Sequence, residues 1–256
     1  MSKRKRFILT SAILSLGFMA LQLLPDNFRF LAIGVLGIIT LVLFAWSLKE
    51  GLGFDMTLLT LILPFFFTVS VGLFWFLLPV NIFARIPVVI IYGLGVYALC
   101  LTMNIYTVAA IRTIALLRAA RGVGFVLTLV TFFLVFDTIL SLRASIFFTS
   151  GLSMASSFPL FFQGFWSVVL DKQFSQEVLE MSMVATLIIG EISASLFFWP
   201  VSVAVGSIFL TVAVYMLLGL GQVKLEGRLF AQTVREYLFL GAAVFIGMFL
   251  ATHWGG

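Results

Sequence analysis

Residues 122–142 read GVGFVLTLVTFFLVFDTILSL, with Arg118 and Arg121 just before them and Arg143 just after. About twenty residues at 1.5 Å each cross the hydrocarbon core of a bilayer, so an apolar run of this length closed by charge predicts a transmembrane helix. The chain repeats the pattern from end to end. Comparable stretches run Phe7 to Leu24, Phe30 to Leu48, Thr57 to Leu78, Ile86 to Tyr106, Ser145 to Leu170, Val178 to Trp199, Val201 to Leu220 and Tyr237 to His253. The fold class expected is therefore all-α: a polytopic integral membrane protein of about nine transmembrane helices.

Composition agrees, because 62% hydrophobic residues against 10% charged ones is far from the balance of a soluble domain. The spans consume most of the 256 residues, so residues 1–256 are expected to form one transmembrane domain with short loops. One Cys and one His cannot supply a disulfide or a cysteine- and histidine-based zinc site, and no metal or cofactor is expected. There is no phosphate-binding GxxxxGK[ST] loop, no strand-borne GxGxxG and no segment long enough for a nucleotide-binding fold. Neither a potassium-filter sequence nor an arginine-every-third-residue voltage sensor appears. No basic patch interleaved with aromatics suggests nucleic acid.

Direction follows from the basic residues. Lys3, Arg4, Lys5 and Arg6 precede the first span and place the N-terminus in the cytoplasm. The first span is expected to be retained, since its apolar run is longer than a signal peptide's and no A-x-A site follows. Alternating from there puts Lys49, Arg112, Arg118, Arg121, Lys172, Lys224, Arg228 and Arg235 inside as well, leaving only Arg29, Arg85 and Arg143 outside. A multi-pass cell-membrane protein, in a bacterial cytoplasmic membrane, is the expected localisation. The sixth stretch is the weak point of the topology, because Thr149, Ser150, Gly151, Ser153, Ser156, Ser157 and Pro159 crowd one half of it. Between the last two spans, Lys224, Arg228, Gln232 and Arg235 fall on one face at helical spacing. They predict a cytoplasmic basic helix lying on anionic lipid headgroups.

Few polar residues lie at depth. Asp137 and Glu191 each cost roughly 2.5 to 3.5 kcal/mol in a membrane, so a place facing the bundle interior is expected for both, with Gln163 between them in sequence and Arg143 at the outer mouth. These four are the candidate substrate or ion pathway; no catalytic residue is assigned. Around Glu191 the recurrence of Thr186, Gly190 and Ala194 also marks a close helix contact, and Ala243, Gly247 and Ala251 form a small-residue stripe on the last span. A loose likeness between Pro64 to Phe76 and Pro159 to Trp166, in opposite membrane directions, hints at an inverted repeat.

The segments Gly151-Leu152-Ser153-Met154 and Ala251-Thr252-His253-Trp254-Gly255-Gly256 are similar to the G-x-S-G and A-H-x-G-G segments of rhomboid intramembrane proteases. The resemblance implies a Ser153 and His253 dyad at the outer face. It covers some ten residues, with Met154 where the family has its second glycine. Three classes of function follow: a non-ATP-driven transporter or binding protein with an outward polar cavity, a structural subunit docking membrane partners, and an intramembrane enzyme, either Ser/His protease-like or acting on a lipid-linked substrate.

Overall fold

The computed structural model describes residues 2–21, 24, 26–49, 54–77, 82–110, 115–171 and 174–252. Pro25, Pro79, Arg112, Lys172 and His253 lie outside these, as does the side chain of Arg85. Among the described residues the regular structure is entirely helical. Nine α-helices follow one another: α1 (Lys3–Ala20), α2 (Asp26–Leu48), α3 (Phe54–Phe74), α4 (Ile82–Ala109), α5 (Leu117–Ser141), α6 (Ile146–Val169), α7 (Gln176–Phe197), α8 (Val203–Leu225) and α9 (Ala231–Leu250). All but α1 and α6, seven in number, are long and apolar enough to cross a membrane. The chain is a helical membrane protein.

Composition explains both exceptions. The first turn of α1 carries the basic block, of which Arg6 is buried. Serine, glycine and glutamine dilute α6, yet α6 is a continuous helix of 24 residues, about 36 Å long. Pro64, Pro87 and Pro159 sit inside α3, α4 and α6; around Pro64 and Pro159, which are not exposed, neighbouring helices and side chains can re-satisfy the freed backbone groups.

The segment expected to form a basic surface helix is built differently. Residues 222–225 complete α8, Gly227 then turns the chain with φ +69 while its N–H donates to the Lys224 carbonyl, and α9 starts at Ala231. The break falls inside the predicted face, so Lys224 and Arg228 do not share one helix with Gln232 and Arg235. Glycine's freedom at positive φ is what permits so short a turn.

Contacts divide the chain into two compact units, with the division inside α5. The first unit, Met1–Thr131 with Leu170–Gln173, packs α1 on α4 and α2, and α3 on α2 and α4. Its centre is aromatic: Phe18 lies 5.1 Å from Trp75 and 4.8 Å from Tyr92, which stacks on Phe67. The hydroxyls of Thr40, Thr68 and Tyr92 form a buried chain with 3.1 Å links. In the second unit, Phe132–Val169 with Phe174–Gly256, α6 is the inner element, packed on α7 and α8, while α9 rests on α8. Eleven residues of α6 are buried, among them Ser153, Ser157 and Gln163. The polar helix is thus the one its neighbours shield, which is how a sequence of low hydropathy is held in this unit.

Candidate functional site

At one end of the second unit, the end of α5, the start of α6, the end of α7 and the start of α8 enclose a cavity of about 370 Å³. Arg143 is its charged lining residue, joined by Thr149, Ser193, Trp199 and Ser202. Arg143 follows α5 as the residue that stops the helix, and it does so with φ +47, a left-handed conformation that glycine usually supplies at a helix C-terminus. An arginine held there costs roughly 1–2 kcal/mol relative to an ordinary backbone conformation. Leu170 ends α6 in the same way, with φ +55, so the left-handed residue acts as a helix stop at both places.

The hydroxyl groups around Arg143 are fixed by the helices that carry them. Ser202 caps α8, its side chain accepting from the Val205 N–H at 3.4 Å. Ser193 on α7 lies 3.1 Å from Ser153 on α6, and the Ser153 hydroxyl donates to the Thr149 carbonyl at 2.8 Å. The Trp199 indole N–H donates to Thr252 at 2.9 Å, and the ring meets Phe245 edge-on at 5.9 Å. Four helix ends meet at this cavity, the C-terminal ends of α5 and α7 and the N-terminal ends of α6 and α8, so their dipoles oppose one another and the guanidinium is the charge that remains.

Asp137 stands one turn behind the lining. Its carboxylate accepts from Ser207 on α8 at 3.2 Å, and the same hydroxyl lies 3.0 Å from the Ala204 carbonyl. Gly206 makes the approach possible: a Cβ there would stand 3.1 Å from Leu140 on α5. Asp137 is 9% exposed, consistent with the bundle-facing place expected for it.

The other two candidates lie elsewhere. Gln163 is buried on α6, fourteen residues from Thr149 and so about 21 Å along the helix. Its Oε1, together with the buried hydroxyls of Ser157 and Thr186, has no hydrogen-bond partner among the described residues. Glu191 is exposed. A helix turns about 100° per residue, which puts Glu191 roughly 200° round α7 from Ser193 and away from the cavity. The structure therefore brings Arg143 and Asp137 to one end of the unit, sets Gln163 deep within it and leaves Glu191 on its surface. Ser153 of the serine and histidine pair is fully buried, its hydroxyl engaged by Thr149 and Ser193; His253 lies outside the described residues.

From residue 8 to residue 251 the chain matches a family described as a protein of unknown function, DUF5656. The chain belongs to this family. No curated protein and no solved structure matches it.

Among the described residues of this DUF5656 member, no three His, Cys, Asp or Glu side chains gather as a metal site would need. Its cavity is lined by the Arg143 guanidinium, the hydroxyls of Thr149, Ser193 and Ser202 and the Trp199 indole. Sequence reading missed Ser193, Ser202 and Ser207. Ser202 had a local signal, a serine just before an apolar helix in the N-cap position. Ser207 had none, because its importance comes from one contact distant in sequence, its hydroxyl donating to Asp137 of α5.

Proposed function

We propose that the protein is a non-ATP-driven membrane transport or binding protein whose cavity at the Arg143 end takes a solute bearing a carboxylate, phosphate or similar anionic group. The observation that carries this is Arg143 itself, a strained arginine lining a cavity of about 370 Å³ beside Thr149, Ser193 and Ser202. A guanidinium presents a planar fork of donors that matches such an anion, and hydroxyls supply the remaining hydrogen bonds. The charge asymmetry of the sequence supports an N-terminus in the cytoplasm, which faces this cavity outward. Asp137 serves behind the cavity as the anchor of Ser207, and Gln163 contributes only if the solute travels along α6.

Two measurements test the proposal. In intact cells carrying Cys100→Ala, single cysteines at positions 149, 193 and 202 should react with a small membrane-impermeant thiol reagent; protection of all three would mean a cavity closed to water. In the purified protein, inorganic phosphate, sulfate, acetate or succinate should raise the melting temperature, and Arg143→Gln should remove the effect. A panel without effect on the wild type would count against an anion site.

A second reading, a subunit that docks membrane partners, draws on α9. That helix rests on α8, and Met248 is its buried residue. A Cβ at Gly247 would meet nothing within 4 Å, so the small-residue stripe faces outward. Copurification of a stoichiometric partner in mild detergent would favour this role.

A further inference from the structure

Bare phenyl rings stand at the Arg143 end of the second unit. Phe147 and Phe148, in the first turn of α6, are 87% and 54% exposed; at the end of α7, Phe197, which lines the cavity, is 49% exposed and Phe198 77%. Rings this bare are costly in water and at home against lipid. The cavity therefore opens beside acyl chains and not into a purely aqueous vestibule. Trp199, also in the lining, fits the same depth, because its indole N–H reaches Thr252 at 2.9 Å and tryptophan, with an apolar body and one polar tip, gathers at the level of lipid headgroups. Past the rim the lining turns polar: Arg143 and Ser202 are exposed, whereas Thr149 and Ser193 are buried, so hydroxyls continue from the guanidinium inward. Among the described residues of the lining Arg143 carries the one charge, and none is a carboxylate. Asp137 stands behind the lining, engaged by Ser207. One positive charge, several hydroxyls and an apolar rim together select a particular chemistry.

We propose that the cavity holds the headgroup of an anionic phospholipid that carries hydroxyl groups, such as phosphatidylglycerol. Its phosphodiester meets the Arg143 guanidinium, its glycerol hydroxyls meet Thr149, Ser193 and Ser202, and its acyl chains lie over Phe147, Phe148 and Phe197. This rests on the reading of the cavity as an anion site and names the anion as one that enters sideways, from the bilayer. A guanidinium fork matches the two free oxygens of a phosphodiester, whose single negative charge it balances. Phosphatidylcholine brings the same phosphate, but its ammonium group finds no carboxylate in the lining. The volume of about 370 Å³ is at the lower end of the roughly 300–1,000 Å³ common to small-molecule sites, which leaves the chains outside along the phenyl rings.

The test is thermal unfolding of the full chain in a neutral detergent, titrated with dioleoylphosphatidylglycerol, with dioleoylphosphatidylcholine and with free glycerol 3-phosphate. Half-saturation by the phosphatidylglycerol should come at a concentration at least about tenfold below that of either other probe. Arg143→Gln should erase that preference. Val203→Trp, which narrows the cavity and leaves Arg143 in place, should weaken phosphatidylglycerol binding by about tenfold. Phe147→Ala with Phe198→Ala, at exposed positions that the fold does not need, should weaken binding of the lipid and leave that of glycerol 3-phosphate unchanged. Unchanged melting temperatures without lipid show that each variant keeps the fold. Equal affinity for phosphatidylcholine would overturn the proposal, as would full phosphatidylglycerol binding by Val203→Trp, since the lipid would then only gather at a surface arginine. Glycerol 3-phosphate binding as tightly as the lipid, and lost in Arg143→Gln, would overturn it and leave the anion reading intact. A wild type that responds to none of the three would overturn both.

Discussion

Replacing Arg143 by glycine should make the protein more stable and at the same time blind to anions. The backbone of Arg143 sits at φ +47, where an L-residue loses roughly 1–2 kcal/mol and glycine almost nothing. Glycine gives back roughly 0.5–1 kcal/mol through the extra freedom of the unfolded chain, so the net gain is about 0.5–1 kcal/mol. At roughly 2–4 °C per kcal/mol, that is a rise of about 1–4 °C in melting temperature. Binding goes the other way. A charge-assisted hydrogen bond contributes about 1.5–3 kcal/mol when desolvated, but Arg143 is exposed and partly screened, so a loss nearer to tenfold in affinity follows. Arg143→Ala separates the two effects, because it removes the guanidinium and keeps the strain: binding should fall as in the glycine variant without the gain in stability. The assay is thermal unfolding in detergent, followed by tryptophan fluorescence, with and without saturating anion. A glycine variant less stable than wild type by more than about 1 kcal/mol would refute the reasoning, since the Arg143 side chain would then be holding the turn. Retention of the anion shift in both variants would refute it too.

Ser207→Ala should cost about 1–3 kcal/mol by leaving the Asp137 carboxylate without its hydroxyl, whereas Asp137→Asn, whose amide oxygen accepts the same bond, should cost less than about 1 kcal/mol; the same melting assay ranks them, and the reverse order would mean that the Ser207 hydroxyl is not what holds Asp137. Gly190→Val should destabilise by about 1–3 kcal/mol through overpacking, because a Cβ there would stand 2.6 Å from Met154, while Gly247→Val, with open space around it, should change the monomer's stability by less than about 0.5 kcal/mol. In the first unit, a double-mutant cycle on Thr10 and Ser47, whose hydroxyls lie 2.7 Å apart, should give a coupling near 0.6 kcal/mol and no more than about 1.7 kcal/mol, the range found for hydrogen bonds between membrane helices.

The helices were legible because hydrophobic length is a local property: α2, α5 and α8 can each be read from their own residues. The nature of α6 was harder to read. Its Ser, Gly and Pro content looks like an interruption when averaged along the chain, yet those residues are what an inner helix needs to approach α7 closely, as at Ser153 and Ser193. The break at Gly227 was missed for the opposite reason: helical spacing of Lys224, Arg228, Gln232 and Arg235 is satisfied on paper by a helix that a single left-handed glycine divides. Within the candidate site, Asp137 and Arg143 could be singled out because charge in a membrane stands out. Which side of α7 carries Glu191 could not be read, because Thr186, Gly190 and Ala194 define a packing face without saying where Glu191 lies relative to it. The structure puts Gly190 against Met154 and turns Glu191 outward.

That α6 is the inner helix also bears on how the chain enters the membrane during synthesis. A segment diluted by serine, glycine and glutamine has little reason of its own to leave the insertion channel for lipid, and the helix that shields it, α7, is completed 28 residues later. At roughly 5–20 residues per second, that is a wait of about 1–6 s. Over this interval α5 offers α6 little beyond side-chain contacts such as Phe132 against Phe161, 5.2 Å apart. Shortening the chain before α7 is therefore expected to strand α6 outside the bilayer, and glycosylation acceptors placed after residue 170 in such truncations would report on which side it comes to rest.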